Sequence, residues 1–353
     1  CESGRTKLQI QQQRFASDEK AMDQSVWQVP LIVSHGGKNH RLILNQAQQT
    51  FALPGCAKTP LMVNAGGEGF YRVQYAPELY IAIVKHFASL TPIARITVLS
   101  DSFALMQTGK LPLTDYWHLL AQLPAVQGPG RATLIDMARS NLGFLDAVYA
   151  DTPAQAALRT KAKQLMAPEL KVLGWQSKAG ESSEIQMLRN GLIRSLIYWG
   201  DEEVLKQADS LFVQDEAGTK PLPPNIRDAV MYAAGVGADA ARHARLIQRL
   251  KSANSEEDRW RYAEAVASAK DLALIQQVLD LTLRGELPSN VASRLPHIIA
   301  DNGIHGALAY QFTVDNYAAL AALAGEMFGG SSWLIPGAAA GFNTGEQAKQ
   351  LLL

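Results

Sequence analysis

The chain is poor in the features that would mark its role at once. No apolar run approaches the roughly 20 residues that a membrane span needs, so no span is read. Neither charge is in excess: 33 Lys and Arg balance 33 Asp and Glu. That balance argues against a nucleic-acid binder, which carries a basic face and a high pI. Cysteine occurs twice, at Cys1 and Cys56. One disulfide and two free thiols are both open, and the compartment stays unknown. No basic start followed by an apolar stretch is visible, so no signal peptide is read. The chain begins at Cys1 without a Met, which leaves room for a segment upstream.

Catalytic signatures are also missing. A zinc peptidase needs H-E-x-x-H, two histidines one helical turn apart with a glutamate as base. None of the 7 histidines is so arranged. His35 and His40 flank a glycine turn; His86, His118, His243, His297 and His305 lie singly in helical segments and read as packing partners or solvated side chains. No G-x-S-x-G elbow or P-loop occurs, and Gly330-Ser331-Ser332 is no such elbow. Gly66-Gly67-Glu68-Gly69 superficially looks like a dinucleotide loop, but a strand pattern follows it where a helix should open. Asp201-Glu202-Glu203 and Glu256-Glu257-Asp258-Arg259 read as acidic helix starts that complement the dipole. Arg242, Arg245 and Arg249, three and four apart, read as a solvated basic stripe. No catalytic residue, metal ligand or cofactor site is therefore assigned within this chain.

What is present is a core and a change of period. Hydrophobic residues make up 47% of 353, enough for two or three domains and against wholesale disorder. Residues 1–76 alternate as strands do: Lys7 to Arg14, then Trp27, Val29, Leu31 and Val33 with Pro30 placing that strand at a sheet edge or bulge. Gly36-Gly37 reads as a hairpin turn into His40–Asn45, and short runs follow at Thr50–Leu53 and Leu61–Val63. Tyr71, Val73 and Tyr75 alternate with Arg72 and Gln74 as a further strand, which Pro77 ends. From there the period is helical: Glu78–Leu90, then Ile93–Thr108 closed by Gly109, then a start at Lys110–Asp115. Ile185, Leu188, Leu192, Leu196 and Trp199 form one apolar stripe; Leu272, Ile275, Leu279 and Thr282 form another. Ser289 reads as an N-cap for a helix to Ala300, and Asp301-Asn302-Gly303 as the turn after it. Short connections make consecutive helices antiparallel neighbours. The expected fold is mainly α: a small antiparallel β-sandwich (1–76) followed by an α-helical superhelix of stacked hairpins (77–353) without a fixed repeat period.

Trp27-Gln28-Val29-Pro30-Leu31 followed by Asn64-Ala65-Gly66-Gly67-Glu68-Gly69-Phe70-Tyr71-Arg72-Val73-Gln74-Tyr75 resembles the W-x-V-P-L … N-x-x-x-x-G-[YF]-Y-R-V-x-Y signature of zinc aminopeptidases of the aminopeptidase N type. It is similar to their non-catalytic C-terminal half. Gln11-Gln12-Gln13-Arg14-Phe15 matches the Q-x-R-F strand before that signature; Ser100-Asp101-Ser102-Phe103-Ala104-Leu105 with Gly109-Lys110-Leu111 looks like its D-x-F-x-L … G-x-L helix pair. Tyr310-Gln311-Phe312, Gly329-Gly330-Ser331-Ser332 and Phe342-Asn343-Thr344 match later helices more loosely. Ala94-Arg95 stands where the family usually has Asp-Arg, and the stretch between the Gly-Ser turn and Phe342 is shorter than usual.

The resemblance implies a zinc aminopeptidase whose catalytic residues and zinc belong to an upstream thermolysin-like domain of the same polypeptide. This chain alone would then be inactive, shaping the chamber and limiting peptide entry. Ser332 and Trp333 would contact the peptide substrate beyond the cleaved residue. The chain ends on Leu351-Leu352-Leu353 without a stop signal, so the helical part is expected to be truncated. The alternative is a stand-alone helical interaction scaffold with a concave binding surface.

Overall fold

The computed structural model describes residues 1, 3–16, 24–57, 59–325 and 330–351; Gly329, Leu352 and Leu353, singled out above, lie outside them. The chain divides into two compact units, Cys1–Asn141 and Leu142–Leu353. Among the described residues no helix is long and apolar enough to cross a membrane.

The first unit opens with β1 (Arg5–Gln11), β2 (Val29–His35), β3 (Lys38–Leu44), β4 (Gln48–Pro54) and β5 (Met62–Val63). β1 pairs with β4, and β2 lies between β3 and β5, all antiparallel. Gly36 and Gly37 turn β2 into β3 with φ of 58° and 73°, which only glycine adopts without strain. The two sheets close on one core of Leu8, Leu31, Val33, Leu44, Leu53, Leu61 and Val63, so the unit begins as a small sandwich. Pro30 is tolerated in β2 because β5 reaches only Val33 and Ser34, leaving that edge unpaired at the proline. Trp27 falls before the strand; the Gln12 side chain accepts from its N–H and donates to its carbonyl, both at 2.9 Å. Cys1 and Cys56 form a disulfide, Cα atoms 5.8 Å apart, joining the start of β1 to the end of β4.

The stretch after β5 departs from the expected strand. Asn64 sits at φ 59°, and its side chain accepts from Gly69 N–H at 2.8 Å and donates to Gly69 C=O at 3.0 Å. This clamp closes a tight loop. Tyr71, Val73 and Tyr75 then pack on the sandwich core, as their alternation predicts, but no strand pairs with them. Side chain–backbone hydrogen bonds hold the stretch instead. Val73 N–H donates to Asp101 Oδ2 at 3.0 Å. Tyr75 OH accepts from Val63 N–H at 3.0 Å and donates to Val63 C=O at 3.1 Å. Alternation reports which side is buried; it does not report what completes the backbone hydrogen bonds.

Asp101 lies on α2 (Pro92–Gln107), which follows α1 (Pro77–Lys85) and a single 3-10 turn at Phe87–Ser89 that ends the helix expected to reach Leu90. Thr91 caps α2 by accepting from Ala94 N–H, and Gly109 ends it at φ 70°. α3 (Leu113–Leu120) and the start of α4 (Arg131–Val148) complete the unit. Arg95, buried on α2, has no hydrogen-bond partner for Nε or Nη1; the neighbouring Ala94 offers none where the related pattern has a carboxylate.

The second unit is helical throughout. α5 (Pro153–Leu173), α6 (Ser183–Tyr198), α7 (Glu202–Glu216), α8 (Arg227–Val236), α9 (Ala240–Ser252) and α10 (Glu256–Val266) pack as hairpins α5/α6, α7/α8 and α9/α10. α6, α8 and α10 also touch in a row, so α8 is buried from Ala229 to Val236. Gly235 permits the α8–α10 approach: a Cβ there would meet the Ala265 carbonyl. Of the stripe read from Ile185 to Trp199, Leu188, Leu192, Leu196 and Trp199 are buried and Ile185 is half-buried. Asp201 and Ser255 cap α7 and α10, each accepting a backbone N–H, with the acidic residues in the first turn. Arg242, Arg245 and Arg249 are not a free basic stripe: Arg242 pairs with Asp209, and Arg245 and Arg249 share Glu216, tying α9 to α7.

α11 (Leu272–Thr282), α12 (Ser289–Ala292), α13 (Leu295–Asp301), α14 (Gly306–Asp315), α15 (Tyr317–Ala324), α16 (Leu334–Ala338) and α17 (Gly345–Gln350) follow. The helix expected from Ser289 to Ala300 is broken in two. Pro288, not Ser289, is the N-cap of α12, and Pro296 lies in the first turn of α13, where its missing N–H costs nothing.

Candidate functional site

The described residues contain no group of three His, Cys, Asp or Glu placed to hold a metal ion. Histidines that might have served are engaged with backbone carbonyls: His86 with Ala82, His243 with Val266, His297 with Gly337 and His305 with Lys270. Burial lowers the pKa of His243, keeping it neutral within the helices. Among the described residues the donor set does not fit a zinc centre.

Residues of the family-like signature in the first unit hold a junction. Asp101 receives Arg72 Nη1 at 3.0 Å on one oxygen and Val73 N–H on the other, while Arg72 also donates to Ser100 Oγ at 2.7 Å. Gln74 Nε2 donates to Lys110 C=O at 2.9 Å. Burial pushes the Asp101 carboxyl up against the opposing pull of these donors. Tyr80, donating to Ser102, has its phenol pushed up to about 12 by burial. A carboxylate whose lone pairs are occupied by an Arg and a backbone amide fixes loop to helix, and no reacting group faces it.

Trp333 lies at the second unit's most chemically distinctive surface. Gly330 takes φ 67°, Ser331 accepts from Tyr317 OH at 3.0 Å, and Trp333 is the N-cap residue of α16. Ser332 is exposed and Trp333 half-buried. The Trp333 ring meets the His297 ring edge-on with centroids 6.3 Å apart. The Arg294 guanidinium lies 5.3 Å from the Trp333 ring and 5.9 Å from that of Trp260. Arg294 is exposed, and among the described residues no carboxylate lies within ion-pair range of it. Its two flanking indoles bias its orientation while leaving its N–H groups to solvent.

Elsewhere among the described residues the second unit's aromatic-flanked arginines are paired with carboxylates. Arg159 lies over Tyr198 and gives two hydrogen bonds, 2.7 and 2.9 Å, to the buried Asp146. Arg194 lies over Tyr232 and is bidentate to Glu264. The structure thus joins Trp333 to two residues that the motif search passed over, Arg294 and Trp260. Their spacing in sequence carries no signal; only the packing of α10 beside α12 and α13 brings them together.

Residues 60–352 match a family profile described as an ERAP1-like C-terminal domain. Curated relatives include aminopeptidase M1-A of Oryza sativa subsp. japonica, 26% identical over 298 residues, which are 80% of this chain and 34% of that protein. Aminopeptidase M1 of Arabidopsis thaliana is 27% identical over 310 residues, 80% of this chain and 34% of that protein. The puromycin-sensitive aminopeptidase of Caenorhabditis elegans is 28% identical over 229 residues, 62% of this chain and 24% of that protein. The chain thus spans about a third or less of the length of these relatives. It belongs to the ERAP1-like C-terminal domain family, the C-terminal part of aminopeptidase N type proteins.

Proposed function

We propose that the chain is the non-catalytic C-terminal part of a zinc metalloaminopeptidase, capping the active-site chamber and controlling which peptides reach it. Zinc and the groups that activate its water would reside in an upstream thermolysin-like domain of the same polypeptide. The described residues offer no donor set for the metal, so no step of peptide hydrolysis is assigned to this chain. Its contribution is binding. The observation that carries this reading is the Trp260–Arg294–Trp333 surface: two indoles that can pack against apolar side chains, and a guanidinium with free donors for peptide carbonyls or a carboxylate. Exposed Ser332 adds a hydroxyl beside Trp333.

The test is Trp333→Ala in the full polypeptide, with turnover measured on tetrapeptides and on an aminoacyl anilide. Loss of one apolar wall, about 1.4 kcal/mol of binding, should raise KM for the tetrapeptide about tenfold and leave the anilide unaffected. Equal effects on both substrates would mean damaged folding. No effect on either would place Trp333 outside the chamber.

A further inference from the structure

We infer that Phe70 is a docking knob by which the first unit seats against the upstream part of the polypeptide, in an apolar socket with a basic rim. The inference rests on the reading of this chain as part of a longer protein; its geometry is independent of any peptidase chemistry. Among the described residues Phe70 is the most exposed of the large hydrophobic residues, at 108% of its reference area. Leaving a whole phenyl ring in water forgoes the largest apolar burial a single side chain can contribute.

The ring is not on a loose loop. Asn64 holds Gly69 by two hydrogen bonds, 2.8 and 3.0 Å, and Gly67 N–H donates to Asn64 C=O at 2.9 Å. On the other side of the knob, Tyr71 packs on the sandwich core and Arg72 is tied to Asp101. Gly69 leaves no space for a side chain, since a Cβ there would overlap the Tyr71 ring, so the residue before the knob is held closely against the one after it. An aromatic side chain fixed from both sides loses little entropy when it enters a pocket, the property of an interface hot spot.

The surroundings define what it enters. Ile93, 53% exposed, lies against the same loop, its Cγ2 3.0 Å from where a Gly67 Cβ would be, and is a second exposed apolar side chain there. Glu68, also exposed, gives the same loop an acidic side chain, which a cationic residue at the socket's edge would complement. The occupant we commit to is the upstream portion of the same polypeptide, because the matched segment is 34% of relatives such as aminopeptidase M1-A and leaves most of their length to supply it.

The experiment is hydroxyl-radical footprinting of the full polypeptide beside the 353-residue chain, with Ile43 on the sheet surface as the reference site. Phe70 modification should fall about tenfold in the full polypeptide, the ratio between full exposure and burial, and Ile93 should be protected with it. Phe70→Ala in the full polypeptide should restore Ile93 reactivity, while the same change leaves the melting of the isolated chain unmoved. Equal Phe70 modification in both proteins would overturn the inference. Protection within the isolated chain that grows with its concentration would overturn it in favour of a second copy. A reading frame that starts at Cys1 would overturn it together with the function proposed above. Because the footprint needs no turnover, a buried Phe70 in an inactive polypeptide would sink the peptidase reading alone.

Discussion

Each unit locks a loop onto a helix with an arginine and a buried carboxylate, but only the second buries the arginine as well. In the first unit Asp101 has 7% of its side chain exposed and Arg72 41%. In the second both partners are inside: Arg189 is fully buried and Glu181 is 6% exposed. Arg189 donates to both Glu181 oxygens and to the carbonyls of Gly174 and Leu173, closing the connection between α5 and α6. Asp101 needs its place relative to one backbone amide, Val73, and the residues around it are correspondingly specific. Asn64 and Gln74 likewise complete particular backbone groups in the same stretch. Side chains that complete particular backbone groups constrain residue type more tightly than apolar stripes do, which explains why the resemblance is sharp around Asn64–Tyr75 and loose across the later helices.

Breaking the two locks should separate them by magnitude. Arg189→Ala leaves a carboxylate and two carbonyls without their partner inside the protein and should cost about 4 kcal/mol, read by chemical denaturation. Asp101→Ala strands the Val73 amide, but Arg72 can turn to water, so about 2 kcal/mol is expected. Equal losses would mean that exposure of the arginine does not set the cost.

Acid should sharpen the contrast further. Arg189 holds Glu181 below the ordinary carboxylate range, so its contribution is complete above the unfolded value near 4.3 and fades as pH falls through the folded one. Burial holds Asp101 above its unfolded value, so its contribution is present in acid and is lost as pH rises through the folded value. Hydrogen exchange, corrected for intrinsic rates, should therefore show Gly174–Ser183 opening below about pH 4 while Arg72–Tyr75 stays protected. The opposite order would contradict both assignments.

Much of this architecture can be read from residues alone. Gly36-Gly37, the β2 alternation, the cap at Asp201 and the stripe from Leu188 to Trp199 each follow from local geometry, and each is found where expected. The readings that failed depend on partners distant in sequence. Val73 looks like a strand residue until Asp101 takes its amide. Arg245 is exposed as read, but only the packing of α7 shows that it and Arg249 share Glu216. Trp333 was named from the resemblance, whereas Arg294 and Trp260 required the helices to be packed.

Both units thus use their charged residues to hold structure, and the account's central claim is that neither performs the chemistry of the proposed enzyme. The direct measurement is zinc content after dialysis, with turnover of aminoacyl anilides, for this chain and for the full polypeptide side by side. The chain should retain no stoichiometric zinc and hydrolyse nothing, while the full polypeptide does both. One tightly held zinc in the isolated chain, with activity, would contradict the account.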